Sequence, residues 1–126
     1  MLCFSVAAIA GDTGPLQCAT EKKYECASGG CRDAEEGFTR AERYVFEPRR
    51  QRLTACLWST CFSGAASIST APDGEARAAA RLRGEGPASA ESLTLTFTLR
   101  PDGGFSAAYA TGGTGLSVAF GRCSAR

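Results

Sequence analysis

Two pairs of equally spaced cysteines constrain this chain more than any other feature of its sequence. Four residues separate the cysteines of CASGGC, residues 26–31, and four separate those of CLWSTC, residues 56–61. In a continuous strand the ends of such a stretch would lie about 16 Å apart, beyond the roughly 4.4–6.8 Å between Cα atoms that a disulfide tolerates. Each stretch must therefore fold back on itself or bond to a cysteine elsewhere in the chain.

The opening residues have the character of a secretion signal. MLCFSVAAIA is a short apolar run that ends in small residues before the polar Gly11 and Asp12. No Lys or Arg precedes it, so we interpret residues 1–10 as a truncated signal peptide and residues 11–126 as one exported domain, periplasmic or secreted. The alternative is an N-terminal β-strand that stays on the protein.

Cleavage after residue 10 would remove Cys3, one of seven cysteines, and leave an even number, as is typical of small disulfide-bonded exported domains. The preferred pairing joins Cys18 to Cys123, because the chain-entropy treatment assigns about 4.7 kcal/mol to a loop of about 100 residues. CASGGC contains glycines that make a tight turn easy, whereas CLWSTC contains none, so its cysteines can instead cross to those of CASGGC. The predicted structural disulfide cysteines are Cys18, Cys26, Cys31, Cys56, Cys61 and Cys123.

Zinc is the alternative use of the two spaced pairs. Four thiolates in two pairs about 24 residues apart would suit the tetrahedral site of an intracellular zinc ribbon, whose RRQR stretch would contact nucleic acid. Zinc knuckles usually place two residues between their cysteines, and a zinc ribbon leaves Cys18 and Cys123 without a role. We therefore predict disulfides, with no metal, no cofactor and no nucleic-acid partner.

Alternating side chains predict an all-β fold. In SLTLTFTLRPDGGFSAAYA, residues 92–110, apolar residues alternate with threonines, a turn follows, and the alternation resumes. A period of two indicates half-buried strands, so this stretch is predicted as a β-hairpin with Phe97 inside and Thr96 outside. ARAAARLR, residues 76–83, places arginines on one face and favours another strand, with an alanine-rich helix as the alternative.

The remaining strand signals are shorter. Residues 32–43 form the one stretch with a helical character, and the joints between strands are rich in Gly and Pro. About seven short strands predict a small antiparallel β-barrel or β-sandwich, and closure of a barrel would bring Cys18 close to Cys123. The other predicted strands cover residues 15–26, 43–47, 52–58 and 116–123.

Composition argues against catalysis. The chain has no histidine, which excludes Ser-His and Cys-His nucleophile pairs and imidazole ligands, and its formal net charge is only +1. Beyond the opening run, no apolar stretch approaches the ~18 residues of a membrane span. We therefore predict a monomeric, non-catalytic binding module without stable membrane insertion, which takes an unidentified protein or a small apolar ligand.

Two features are candidate contacts for a partner. Trp58, the single tryptophan, can anchor a partner, or it can pack on a disulfide in the core. The basic stretch with Arg49, Arg50 and Arg52 can hold a phosphate or an acidic partner, or it can expose its charges as any hairpin turn does.

The layout LQC…KKYEC…C…RYVFEPRRQRLTAC…C, with GRC near the end, resembles small exported proteins of uncharacterised function from Gram-negative bacteria. The likeness covers most of the mature chain through its cysteine layout and strand pattern. FSAAY, residues 105–109, is also similar to the Ser-Gly/Ala-x-Tyr stretch of periplasmic lysozyme-inhibitor barrels, although it lacks the loop glycine and lies within a predicted strand. The resemblance implies an exported binding module, with an inhibitor of the lysozyme-inhibitor type as the alternative.

Overall fold

The computed structural model describes residues 14–34, 42–57, 60–111 and 115–125. This part of the chain contains nine β-strands and one 3-10 turn, Gly86–Ala88. All pairings between neighbouring strands are antiparallel. The strands are β1 (Leu16–Ala27), β2 (Gly30–Asp33), β3 (Arg43–Glu47), β4 (Arg52–Leu57), β5 (Thr60–Thr70), β6 (Ala76–Gly84), β7 (Ser92–Leu99), β8 (Gly104–Thr111) and β9 (Gly115–Ala125).

Eight of these strands close into a barrel. From β3 to β9 each strand pairs with the next one in sequence, and β1 pairs with β3 along one edge and with β9 along the other. The short β2 pairs with the second half of β1, on the same edge as β3. The predicted all-β class is confirmed, and of the two predicted architectures the chain adopts the barrel, with somewhat more strands than the seven expected.

A disulfide crosses the seam at which the barrel closes. Cys18 of β1 lies directly opposite Cys123 of β9, with 3.9 Å between their Cα atoms, and the two are bonded. The preferred pairing from the sequence is therefore confirmed, and it has the expected cause: first and last strands of a closed barrel are neighbours.

The other two disulfides close the C-x4-C stretches on themselves. Cys26 faces Cys31 across β1 and β2, and Cys56 faces Cys61 across β4 and β5. The predicted alternative, in which the cysteines of CLWSTC cross to those of CASGGC, is wrong. A hairpin whose last paired residues are Leu57 and Thr60 brings the flanking cysteines face to face without a glycine. Since six thiolates form three disulfides, none of them is left for zinc, and the zinc-ribbon alternative is not supported.

Aromatic rings fill the middle of the barrel. Tyr44, Phe46, Phe97 and Phe105 are almost completely buried, and the centroids of the rings in contact lie 5.3–6.1 Å apart. Tilted and stacked rings at this spacing pack favourably, and each buried ring contributes roughly 1.5–3 kcal/mol through the area it removes from water. The barrel is therefore a packed core along its middle.

The alternation in the sequence correctly assigned the faces of two strands. Residues 92–110 form the predicted hairpin of β7 and β8, in which Phe97 is 1% exposed and its neighbour Thr96 is exposed. Residues 76–83 lie within β6, so the strand prediction is confirmed and the helical alternative is wrong. Alanine has a high helix propensity, but alternation with buried partners on both sides decides the outcome.

A β-bulge reverses the faces of β1 partway along its length. The register against β9 shifts between Thr20 and Lys22, so that Thr20 faces inward before the bulge and Lys23 faces inward after it. Gly121 lies opposite this point, and a Cβ there would overlap the Ala19 carbonyl oxygen and lie 2.7 Å from Phe105 Cε1. The bulge thus turns a lysine into the barrel, and the missing Cβ of Gly121 leaves room for the Ala19 carbonyl and the Phe105 ring.

Two predicted segments fall wholly or mostly outside the described residues. The signal peptide, residues 1–10, is one of them, and most of the stretch with a helical character is the other, since only residues 32–34 and 42–43 of it are described. Residues 32 and 33 belong to β2, and residue 43 to β3. Within the described ranges, no helix has the length and apolar character needed to cross a membrane.

Candidate functional site

A cluster of polar side chains lies inside the end of the barrel that carries the second half of β1. Glu42, immediately before β3, accepts a backbone hydrogen bond from Thr20 at 3.4 Å and turns its carboxylate into the interior. On this edge of β1, β3 pairs with the first half of the strand and β2 with the second half, and Thr20 lies in the interval between them. We call the set the mouth cluster, and its members are Lys23, Glu25, Glu42, Tyr44, Tyr109 and Ser117.

An ion pair forms the centre of the mouth cluster. The Lys23 ammonium lies 2.5 Å from Glu42 Oε2 and 3.5 Å from Glu25 Oε2, and the Glu42 side chain is 1% exposed. The Tyr109 hydroxyl donates to Glu42 at 3.1 Å, and the Tyr44 hydroxyl lies 3.5 Å away. Every charge in this centre therefore has a partner of opposite charge or a hydroxyl donor.

The surroundings raise the pKa of three members of the mouth cluster, Lys23, Tyr44 and Tyr109. Burial alone would lower the pKa of Lys23, but its hydrogen bond to Glu42 and the nearby negative charge raise that pKa above its ordinary value. Burial and the Glu42 charge raise the pKa of Tyr44 and of Tyr109. At neutral pH the lysine stays charged and the tyrosines stay neutral, so none of the three is a free base or nucleophile.

The basic turn predicted as a partner contact lies at the opposite end of the barrel. Arg49 and Arg50 are exposed, and Arg50 Nη1 lies 3.6 Å from Glu47 Oε2, while Arg52 is half-buried opposite Glu47 at the start of β4. A small cavity of about 180 Å³ lies beside the turn. It is lined by Gly14, Pro15, Glu47, Arg49 and Arg50.

Only one of the two predicted contacts lies in the described part of the chain. Trp58 lies outside the described residues, and in sequence it follows Leu57, the last residue of β4. The basic turn precedes Arg52, the first residue of that strand, and a strand of this length spans about 17 Å. Trp58 as an anchor or as a core residue stays a prediction.

The FSAAY stretch lies inside β8, as its alternation predicted. Phe105, Ala107 and Tyr109 are buried within the barrel, and Tyr109 bonds to Glu42. Only the alternating Ser106 and Ala108 face outward, each partly covered by its neighbours. In this chain the stretch supports the core and presents no tyrosine to solvent.

Sequence reasoning missed an apolar strip on the outside of β1 and β9. Leu116 and Phe120 are 42% and 39% exposed, and they are the two large hydrophobic side chains that stand exposed among the described residues. The Tyr24 ring meets Phe120 edge-on, with 6.1 Å between centroids, and Val118 lies between the two exposed residues on the same face. We call Tyr24, Leu116, Val118 and Phe120 the apolar strip.

The packing of the interior explains why β9 exposes its larger side chains. Its inward positions hold Ser117, Ala119 and Gly121, which are small enough to lie against Phe105 and the mouth cluster. The larger alternate residues are therefore on the outside. The alternation of large and small side chains in LSVAFG indicates a strand with two different faces. It does not show whether the large or the small side chains face the core.

A second outer feature is a row of arginines on β6. The row consists of Arg77, Arg81 and Arg83, which are exposed. Ala79 also faces outward, and its small side chain leaves space between Arg77 and Arg81, while the residues between these outward positions are buried. A groove of about 440 Å³ lies over this space. It is lined by Ser67, Ile68, Ser69, Arg77, Ala78, Ala79, Thr96, Phe97 and Thr98.

Comparison with known proteins adds no family to this description. Among the described residues, no group of three or more His, Cys, Asp or Glu side chains is placed to hold a metal ion. A scan against protein-family models found no matching family, and searches of curated proteins and of solved structures found no match. The functional assignment therefore rests on the residues of this chain.

Proposed function

We propose that this protein is an exported, non-catalytic module that binds another protein through the apolar strip. The observation that carries the proposal is the exposure of Leu116 and Phe120 beside Tyr24 on one rigid face. Aromatic and large aliphatic side chains in a contiguous exposed patch are typical of interaction surfaces, where they supply most of the binding energy. The strip lies on the two strands that the Cys18–Cys123 disulfide joins, so little order is lost on binding.

A protein partner fits this barrel better than a small apolar ligand inside it. The rings of Tyr44, Phe46, Phe97 and Phe105 pack against one another where such a ligand would lie. The ion pair of Lys23 and Glu42 occupies part of the barrel end above these rings. An apolar ligand that separated the pair would leave two buried charges without partners.

An oxidising compartment and a lack of catalysis both agree with the proposal. Three disulfides within one small domain are typical of periplasmic and secreted proteins. The mouth cluster holds its lysine charged and its tyrosines neutral, which suits a structural role better than proton transfer.

The alternative of a lysozyme inhibitor has less support. The residues of FSAAY that would correspond to the inhibitor stretch include Tyr109, which is buried against Glu42. A protruding loop with an accessible tyrosine is absent from residues 105–109, so nothing in this stretch carries an inhibitory contact over to this chain.

Capture from a bacterial envelope extract tests the proposal. The oxidised protein and its Leu116→Ser/Phe120→Ser variant are immobilised, and the recovered proteins are compared after matching far-UV spectra and melting temperatures have been recorded. We expect the variant to lose a partner that the unchanged protein retains. Equal recovery by both would contradict the proposal.

Replacement of the basic turn is a matched control that also tests the sequence prediction. Arg49→Ser, Arg50→Ser and Arg52→Ser, combined in one variant, alter a surface at the far end of the barrel. We expect this variant to retain the partner. Sedimentation supplies a second readout: a dimer that Leu116→Ser/Phe120→Ser abolishes would assign the strip to a second copy and contradict the predicted monomer.

A further inference from the structure

The wall of the barrel formed by β5 to β9 has an unusual charge distribution. None of these five strands contains an aspartate or a glutamate, although the whole chain has nearly equal numbers of acidic and basic residues. All carboxylates in the described residues lie on β1 to β3 or in the turns and segments flanking the strands. The wall therefore carries positive charge only, with three of its arginines on β6.

Two of these arginines have no acidic partner among the described residues. Arg77 is bound to Glu75 in the preceding turn at 2.9 Å. Neither Arg81 nor Arg83 lies within ion-pair distance of a carboxylate in the part of the chain that the structure describes. Guanidinium groups that are exposed and unpaired can each donate two parallel hydrogen bonds to a carboxylate.

Hydroxyl groups surround the arginine row on both sides. Arg83 lies between Ser63 of β5 and Ser92 of β7, and Thr94 lies directly across from Arg81. The same arrangement recurs at Arg77, which lies between Ser69 and Thr98. The groove over Ala79 separates Arg77 from the other two arginines and gives an incoming chain room to lie against the sheet.

The spacing of the row matches an extended peptide. Alternate residues of a strand lie about 6.6 Å apart on one face, so the Cβ atoms of Arg81 and Arg83 are separated by about that distance. An extended peptide with acidic residues at alternate positions presents its carboxylates with the same repeat. Its intervening polar residues would meet the hydroxyl groups that flank the row.

We infer that the outer face of β6 binds an extended acidic segment of a protein partner, with Arg81 and Arg83 as the carboxylate-binding residues. This inference deepens the proposed function and rests on it, because the occupant is part of a protein. The apolar strip and the arginine row both lie on the outside of the barrel, separated by β7 and β8, whose outward side chains are small, such as Thr96 and Ala108. A partner that contacts both surfaces must therefore curve around these two strands.

The test measures fluorescence anisotropy of a labelled peptide with alternating glutamate and threonine, titrated with the full-length oxidised protein at low salt. We expect saturable binding, and we expect Arg81→Gln/Arg83→Gln to weaken it about five- to tenfold, because each exposed ion pair is of modest strength. The matched control is Arg49→Gln/Arg50→Gln, which removes the same charge from another surface and should change binding less than twofold. A peptide in which glutamine replaces glutamate should not bind.

A lysine variant separates geometry from charge. Arg81→Lys/Arg83→Lys keeps both charges and disturbs the fold least, and it should give intermediate affinity because it lacks the paired donors of guanidinium. Equal weakening by the two double glutamine variants would show that only net charge matters and would overturn the inference.

Two further outcomes would also overturn it. A sulfated polysaccharide that binds more tightly than the peptide, and that depends on Arg81 and Arg83, would assign the row to an anionic glycan. Failure of the peptide to bind, while Leu116→Ser/Phe120→Ser still abolishes capture of the partner, would refute the acidic segment and leave the proposed function standing.

Discussion

Removal of either member of the Lys23–Glu42 pair should destabilise the protein, and the two changes should be unequal. Breaking a buried pair by removing one partner typically costs 3–5 kcal/mol, because a charge is left without compensation. Lys23→Met leaves the Glu42 carboxylate, 1% exposed, with the Tyr44 and Tyr109 hydroxyls as its remaining polar partners among the described residues. Glu42→Gln leaves a lysine that is 13% exposed and has Glu25 within 3.5 Å. We therefore expect a loss of about 4 kcal/mol for Lys23→Met and about 2 kcal/mol for Glu42→Gln.

Urea unfolding of the oxidised protein, its two single variants and Lys23→Met/Glu42→Gln measures these losses as a double-mutant cycle. The double variant should lose less free energy of unfolding than the sum of the single losses, by about 2 kcal/mol or more, because neither charge is then left alone. Additive losses, or a larger loss for Glu42→Gln than for Lys23→Met, would show that the pair is not buried and coupled as described.

The same cycle has a predictable pH dependence. The folded-state pKa values of Lys23, Tyr44 and Tyr109 are all raised above ordinary values of 10.5 for lysine and 10.0 for tyrosine. The stability that these groups contribute is fully present below those values, and it falls at higher pH because the unfolded chain loses its protons first. The free energy of unfolding should therefore decrease above about pH 10, and it should decrease less in Lys23→Met/Glu42→Gln. A flat profile up to about pH 11 would contradict this assignment.

Two further pairs of substitutions test the packing of the barrel by thermal and urea unfolding. Phe97→Asp should abolish folding, because it removes a ring from the aromatic core and buries a charge. Thr96→Asp on the outer face should reduce the free energy of unfolding by no more than about 1 kcal/mol. Similar losses for the two variants would mean that the faces of β7 are misassigned. Gly121→Ala should lower the free energy of unfolding by about 3 kcal/mol, because its Cβ would meet the Ala19 carbonyl. Gly29→Ala, whose Cβ would have nothing within 4 Å, should change that free energy by no more than about 0.5 kcal/mol. Tolerance of both substitutions would show that the bulge is not closely packed.

Much of the fold could be predicted from local patterns. The hairpin of residues 92–110 repeats a period of two across a favourable turn, and both its arms bury the expected side chains. The Cys18–Cys123 pairing followed from barrel closure. These features depend on side-chain alternation and on loop length, which the sequence contains directly.

The candidate site could not be predicted in the same way, because it depends on a bulge. An unbroken alternation from Leu16 would place Tyr24 inside and Lys23 outside, whereas the extra residue at Glu21 reverses both. The run TEKKYE is polar on either side of the bulge and does not mark its position. The partner of Lys23, Glu42, lies 19 positions away, and a pairing at that distance has no local signal.

The disulfide between Cys18 and Cys123 also changes what a single cut does to the molecule. It spans 105 positions and makes the intervening chain a closed covalent ring. Three exposed turns, at residues 48–51, 71–75 and 100–103, lie on that ring at the end of the barrel opposite the mouth cluster. A protease that cleaves one of them opens the ring but releases nothing, since both fragments stay linked through the disulfide as well as through the strand ladders. The nicked protein therefore keeps its mass, apart from one added water, until a reductant reaches the seam.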